Sequence, residues 1–186
     1  NLFYDRPWEV FYIRIEDNKI IDEQHKFLLW KDLHISKEAA QVSHFDLEKY
    51  KQTAINPMEV LKEFDSYLYK EDYWSFGHNI LGYDSMIHAN WRRSLGIEPD
   101  YSWLNRLYDT NCLAKGLALN IKPDYECFLA WQFKMYSLRQ KGLKTSLGVT
   151  SKKYGIDVRE DLLHGAKYDT LLNWEIFKKQ KYELGL

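Results

Sequence analysis

Three side chains could do chemistry together if the fold brings them to one place: Asp84, His164 and Asp169. Asp169 shares a helical stripe with Leu172 and Ile176, so the spacing predicts a carboxylate facing the core. A carboxylate there carries a desolvation cost unless it is paired or bound to a cation. Asp84 repeats the pattern with Ile87 and Trp91, in the first turn of a helix that follows a strand and the run Gly77-His-Asn-Ile-Leu-Gly-Tyr83. Just beyond the C-terminal end of a strand is where α/β sheets place their ligands. His164 lies shortly before Asp169 at a loop-to-helix junction, and an imidazole can accept a proton near neutral pH. Two inward carboxylates with a histidine suit a hard divalent ion such as Mg²⁺ or Mn²⁺. Ions of that kind clamp phosphate oxygens and activate water for in-line attack.

Positioning these groups requires a scaffold, and the sequence outlines one. Trp8 to Glu16 and Lys19 to Trp30 read as strands flanking the turn signal Asp17-Asn18, which predicts an antiparallel hairpin. Ser36 is placed to cap a short helix, and Asn56-Pro57 opens another that carries Met58, Leu61, Phe64 and Leu68 at helical spacing. Tyr73 to Phe76 reads as a buried strand, Gly82 to Arg93 as a helix, Leu104 to Tyr108 as a strand and Thr110 to Leu119 as a helix. Ser146 to Tyr154 reads as a helix stopped by Gly155, and a final helix runs from about Gly165 to Tyr182. Early antiparallel strands followed by strand–helix alternation predict one α/β domain with a mixed sheet flanked by helices.

Composition narrows the function classes. The chain has 186 residues, 45% of them hydrophobic and 28% charged, which fits a folded domain and not a disordered or collagen-like chain. Lys and Arg total 26 against 27 Asp and Glu, so no global basic field draws in nucleic acid; binding would come from a local patch or from bound cations. No apolar run approaches the roughly 20 residues of a membrane span. Cys112 and Cys127 form no disulfide framework or metal spacing, which predicts small apolar roles and a reducing, cytoplasmic setting.

Several other residues have plainer readings. His78 and His88 read as hydrogen-bonded structural histidines, and Asp109-Thr110 as a helix cap. Lys144, Lys152 and Lys153 suit either a phosphate backbone or a solvated helix face, and Lys178, Lys179 and Lys181 a solvated helix end. Tyr125, Phe128, Trp131, Phe133 and Tyr136 read as core or partner surface. For Asp84 the plainer role is a first-turn carboxylate, and for Asp169 a buried ion pair.

Two motifs add a resemblance. Asn79-Ile-Leu-Gly-Tyr83-Asp84 resembles the second exonuclease motif (Asn, two or three residues, an aromatic, Asp), and His164-Gly-Ala166-Lys-Tyr-Asp169 resembles the third, His-x-Ala-x-x-Asp. In these and in flanking segments (Asp5-Arg6, Ile35 to Val42, Tyr108 to Thr110, Leu147 to Ile156) the chain resembles the DEDDh 3′–5′ exonucleases of the DnaQ-like superfamily, which have a ribonuclease H-like fold. The resemblance implies Asp84 and Asp169 as ligands in a two-ion Mg²⁺ or Mn²⁺ site, and His164 as the base toward the attacking water. Asn79 and Tyr83 would lie near the 3′-terminal nucleotide of single-stranded DNA or RNA, with a polymerase or other replication or repair protein as a further partner.

The family's first motif, Asp-x-Glu, is not found; Asp5-Arg6-Pro7 lacks the Glu, and Arg14 stands where Glu16 would need an Asp before it. We therefore expect the first strand upstream of residue 1, and expect residues 1–186 alone to bind metal weakly and cleave poorly. The segment 123–142 reads as an insertion. The alternative function is a catalytically inactive domain of the same fold that binds nucleic acid or serves as a scaffold; a weaker alternative is a nuclease for short oligoribonucleotides.

Overall fold

The computed structural model describes residues 5–185; the place expected for the Asp-x-Glu strand lies outside them. Strands β1 (Glu9–Glu16) and β2 (Lys19–Phe27) form the expected antiparallel hairpin, with Glu9 opposite Phe27 and Glu16 opposite Lys19. Asp17 and Asn18 both take positive φ (49° and 61°), the conformation that lets a two-residue turn follow the twist of its strands.

Helices α1 (Lys37–Val42), α2 (Leu47–Thr53) and α3 (Pro57–Leu68) follow. Ser36 caps α1 by accepting from the Ala39 N–H, and Asn56 caps α3 through Met58. The second strand stops at Phe27 and not at Trp30: the Leu29 N–H turns to the Ile55 carbonyl at 2.8 Å, and a tyrosine takes the next groups. The Tyr50 hydroxyl of α2 donates to the Leu28 carbonyl at 2.7 Å and accepts from the Trp30 N–H at 2.9 Å.

Strand β3 (Ser75–Gly77) pairs in parallel with β4 (Leu107–Asp109), placing Gly77 opposite Asp109. Between them runs α4 (Asp84–Ser94). The strand expected from Leu104 begins only at Leu107: Trp103 and Leu104 lie in a 3₁₀ turn and are buried. A short apolar run reads alike for a strand and for a buried turn.

Helix α5 (Thr110–Ala118) is capped by Asp109, as expected. The segment 123–142 holds α6 (Phe128–Ser137), which packs on α5 and adds Trp131 and Met135 to a core cluster with Leu81, Leu107, Cys112 and Leu113. The α6 residue Gln132 has no exposed surface and works on β4 as a neighbouring strand would. Its Oε1 accepts from the Asp109 N–H at 2.6 Å, and its Nε2 donates to the Leu107 carbonyl at 2.9 Å.

A second cluster joins Leu28, Trp30, Val60, Leu61 and Trp91. Helices α7 (Leu147–Lys153) and α8 (Ala166–Leu184) close the chain, and α8 packs against β1, β3, α5 and α7. It therefore braces both pairs of strands, and its N-terminus carries Asp169.

Candidate active site

The run Asn79 to Asp84 is a tight 3₁₀ turn leading into α4. Asn79 sits in the left-handed region (φ 65°, ψ 30°), which asparagine tolerates better than most residues. Its carbonyl accepts from Gly82 N–H at 3.0 Å and Tyr83 N–H at 3.1 Å. Gly82 is required by close approach: a Cβ there would stand 2.7 Å from Asn79 Oδ1 and 2.7 Å from Tyr136 Cε2. The turn is held from below by Asp109. One carboxylate oxygen accepts from Asn79 N–H at 3.0 Å, and the other from Leu81 N–H at 3.1 Å.

Asp84 is the first residue of α4 and opens to solvent. The inward orientation expected from Ile87 and Trp91 is not what is found. Ser85, His88, Ala89, Asn90 and Trp91 are the buried residues of the helix, and Asp84 stands before them at its first position. Asp84 is exposed as a residue, yet the protein packed around its carboxyl disfavours ionisation. That enclosure pushes it up to about 7, against the pull of its own backbone N–H, and the negative charge of Asp109 adds to the rise. Tyr83 beside it is 52% exposed, and its hydroxyl is raised by enclosure and then by the charges of Asp84 and Asp5.

His164 and Asp169 come together at the start of α8. Asp169 Oδ1 accepts from the His164 backbone N–H at 3.3 Å. Partial burial raises the Asp169 carboxyl, and that N–H and the nearby His164 and His44 imidazoles oppose the rise. Leu172 and Ile176 are buried on the stripe below, as the spacing predicts. Among the described residues neither Asp84 nor Asp169 forms an ion pair with Lys or Arg, so the plainer reading of Asp169 fails. His164 is exposed and held at φ 70°, a conformation that costs on the order of 1–2 kcal/mol for a residue with a Cβ.

His44, which sequence reasoning missed, also has positive φ (55°), and its Nε2 donates to the Leu163 carbonyl at 3.1 Å. It ties the loop before α2 to the loop that carries His164. Between these loops and the hairpin lies a cleft of about 490 Å³, lined by Trp8, Phe27, His44, Lys49, Gly165 and Tyr168 among others. Nothing in the spacing of Trp8 or His44 announced it, because the two meet only in three dimensions.

The structure thus groups Asn79, Tyr83 and Asp84 on one turn, and His164 with Asp169 on another. Among the described residues no three His, Cys, Asp or Glu side chains converge to hold a metal ion. The donors present still suit a hard cation, because Mg²⁺ takes only one or two protein carboxylates and keeps several waters. The remaining candidates have structural partners. His88 Nε2 meets Asp65 at 2.8 Å, and His78 bridges Thr110 and the Thr145 carbonyl. Burial lowers the His78 imidazole, which keeps it neutral. Lys152 is engaged with Glu160, and Lys178 with Glu175. Trp131 belongs to the core, whereas Tyr125 and Phe133 are exposed.

No family profile matches the sequence, and no curated protein matches it. Solved structures do match. The zinc-bound E. coli ExoI–ssDNA complex superposes with a TM-score of 0.73 at 15% identity, covering 100% of this chain and 38% of that one. E. coli exonuclease I with a dT13 oligonucleotide gives 0.70 at 17% identity, over 97% of this chain and 38% of that one. The complex with a dA16 oligonucleotide gives 0.70 at 16% identity, over 98% and 39%. The chain therefore has the mixed α/β fold found in exonuclease I, and it spans less than two-fifths of those chains. No helix among the described residues is long and apolar enough to cross a membrane.

Proposed function

We propose that this chain is the nuclease domain of a divalent-metal-dependent 3′–5′ exonuclease that removes nucleoside monophosphates from the 3′ end of single-stranded nucleic acid. The observation that carries the reading is His164, exposed on a left-handed loop beside Asp169 and followed directly by Gly165, which lines a cleft with aromatic walls and the lysines Lys49 and Lys167. A residue kept in a costly backbone conformation by its surroundings is a candidate for function.

In this reading the cleft receives the end of the strand. Trp8, stacked on the buried Phe27, and Tyr168 offer ring surface to bases, and Lys49 offers charge to a phosphate. Asn79 and Tyr83 stand beside the terminal nucleotide. Asp84 and Asp169 would hold Mg²⁺ or Mn²⁺, which would supply charge to the scissile phosphate and acidify water. His164 would take a proton from the attacking water; the water oxygen joins phosphorus, the bond from phosphorus to the neighbouring 3′ oxygen breaks, and that oxygen takes a proton from solvent water to leave as a hydroxyl, while His164 returns its proton to solvent. Asp169 keeps the His164 loop in place through the backbone N–H it binds.

The test is cleavage of end-labelled single-stranded DNA and RNA by the full-length protein with Mg²⁺ or Mn²⁺. We expect His164→Ala to lower kcat by roughly 10²–10⁴-fold and Asp169→Ala to abolish the cation-dependent cleavage. Undiminished cleavage in either variant refutes the proposal. The absence of a convergent ligand trio among the described residues favours a second reading, a non-catalytic strand-binding module of the same fold. It predicts single-strand binding with no product under any divalent cation.

A further inference from the structure

Asp109 has no exposed surface and forms no ion pair among the described residues. Its carboxylate is satisfied instead by four backbone N–H groups. Two of them, Asn111 at 3.0 Å and Cys112 at 3.3 Å, belong to the first turn of α5, and accepting from them is the ordinary work of an N-cap. The other two, Asn79 at 3.0 Å and Leu81 at 3.1 Å, contribute nothing to α5. They fasten a turn some 30 residues away in sequence, and that turn ends on Asp84. The placement follows from the parallel pairing, which sets Asp109 opposite Gly77, two residues before Asn79. Gln132 locks the clamp from behind by accepting from Asp109's own N–H.

We propose that Asp109 is a positioning residue: by clamping the Asn79–Gly82 turn it fixes where the Asp84 carboxylate stands toward a divalent cation. This rests on the reading of Asp84 given above. The Asn79 backbone is left-handed and the turn is short, so its amides cannot all be satisfied within the turn itself. With the clamp removed, the turn is free to rotate the start of α4 while the buried face of that helix stays in the core.

The test separates a cap from a clamp. In Asp109→Asn the retained oxygen can still accept from Asn111, Cys112 and Asn79, while the new NH₂ faces the Leu81 N–H and that bond is lost. Asp109→Ser keeps a good cap but is too short to reach the turn. Three readouts on the full-length protein are needed: hydrogen exchange at Asn79 and Leu81, Mn²⁺ affinity from the free Mn²⁺ resonance signal, and kcat and KM on single-stranded DNA. Both variants should exchange faster at Leu81. Both should need about tenfold more Mn²⁺ for half-saturation, the scale of one hydrogen bond to a charged group. KM for DNA should change far less than this. Asn56→Ala, which removes the α3 cap, should lower the thermal midpoint without moving Mn²⁺ affinity.

Wild-type Mn²⁺ affinity in folded Asp109→Asn or Asp109→Ser overturns the inference alone. Fast exchange at Leu81 in the wild-type protein overturns it too, even if neither variant folds. A wild-type protein that neither binds Mn²⁺ nor cleaves overturns the functional reading and this inference with it.

Discussion

Replacing Gln132 with leucine should destabilise the fold out of proportion to the small change in shape. Gln132 is fully buried and serves two backbone groups of β4, the Asp109 N–H and the Leu107 carbonyl, which belong to residues with no exposed surface. Leucine fills similar space but leaves a buried donor and a buried acceptor unpaired, at about 1–3 kcal/mol each. Some of this is offset by the added apolar burial, leaving a net loss of about 2–4 kcal/mol. Against a total stability of roughly 5–15 kcal/mol that is a large fraction. At roughly 2–4 °C per kcal/mol for a chain of this size, the thermal midpoint should fall by about 5–15 °C. Urea titration followed by circular dichroism, with an unchanged m-value, measures the loss directly. Gln132→Glu sharpens the test. A protonated glutamate can reproduce both bonds, whereas an ionised one presents a second oxygen to the Leu107 carbonyl. That variant should therefore lose stability as pH rises. A Gln132→Leu cost below about 1 kcal/mol would falsify the view that α6 completes β4.

Two further outcomes are expected. Gly82→Ala forces a Cβ against Asn79 Oδ1 and Tyr136 Cε2, each at 2.7 Å, and should cost about 1–3 kcal/mol of stability in the same urea assay. An unchanged midpoint would mean that the turn has slack. The protein around Asp84 pushes its carboxyl up to about 7 from the ordinary 3.8, so the native state holds a proton there more tightly than the unfolded chain does. Its contribution to stability is therefore present below pH 4 and is lost as pH rises through about 7. The difference in urea midpoint between Asp84→Asn and wild type should shift in favour of the variant between pH 5 and 8, and a pH-independent difference would contradict it.

Local signals were legible where one residue decides the outcome. Asp17-Asn18 announced the hairpin, Asn56-Pro57 the start of α3, and Asp109 the cap of α5. Helix α2 escaped because it is only Leu47–Thr53, with a single buried residue, Tyr50, and hence no readable stripe. Helix α6 escaped because Phe, Leu, Trp and Met surround it without a clear polar face. The same periodicity put Leu172 and Ile176 in the core with Asp169 half-buried before them, but left Asp84 exposed: a stripe fixes a face, and the first residue of a helix can lie beyond what that face covers. The contacts that shape the site, Asp109 to Leu81 and His44 to Leu163, span 28 and 119 residues, and no local pattern encodes them.

The amide of Gln132 also bears on how the molecule behaves in company. A strand margin with bare N–H and C=O groups is a template on which other chains can stack. Here a helix turns a single side chain toward β4 and occupies those groups, so that margin is blunted against self-association. A protein bearing leucine at this position would present a sticky flank whenever α6 loosened.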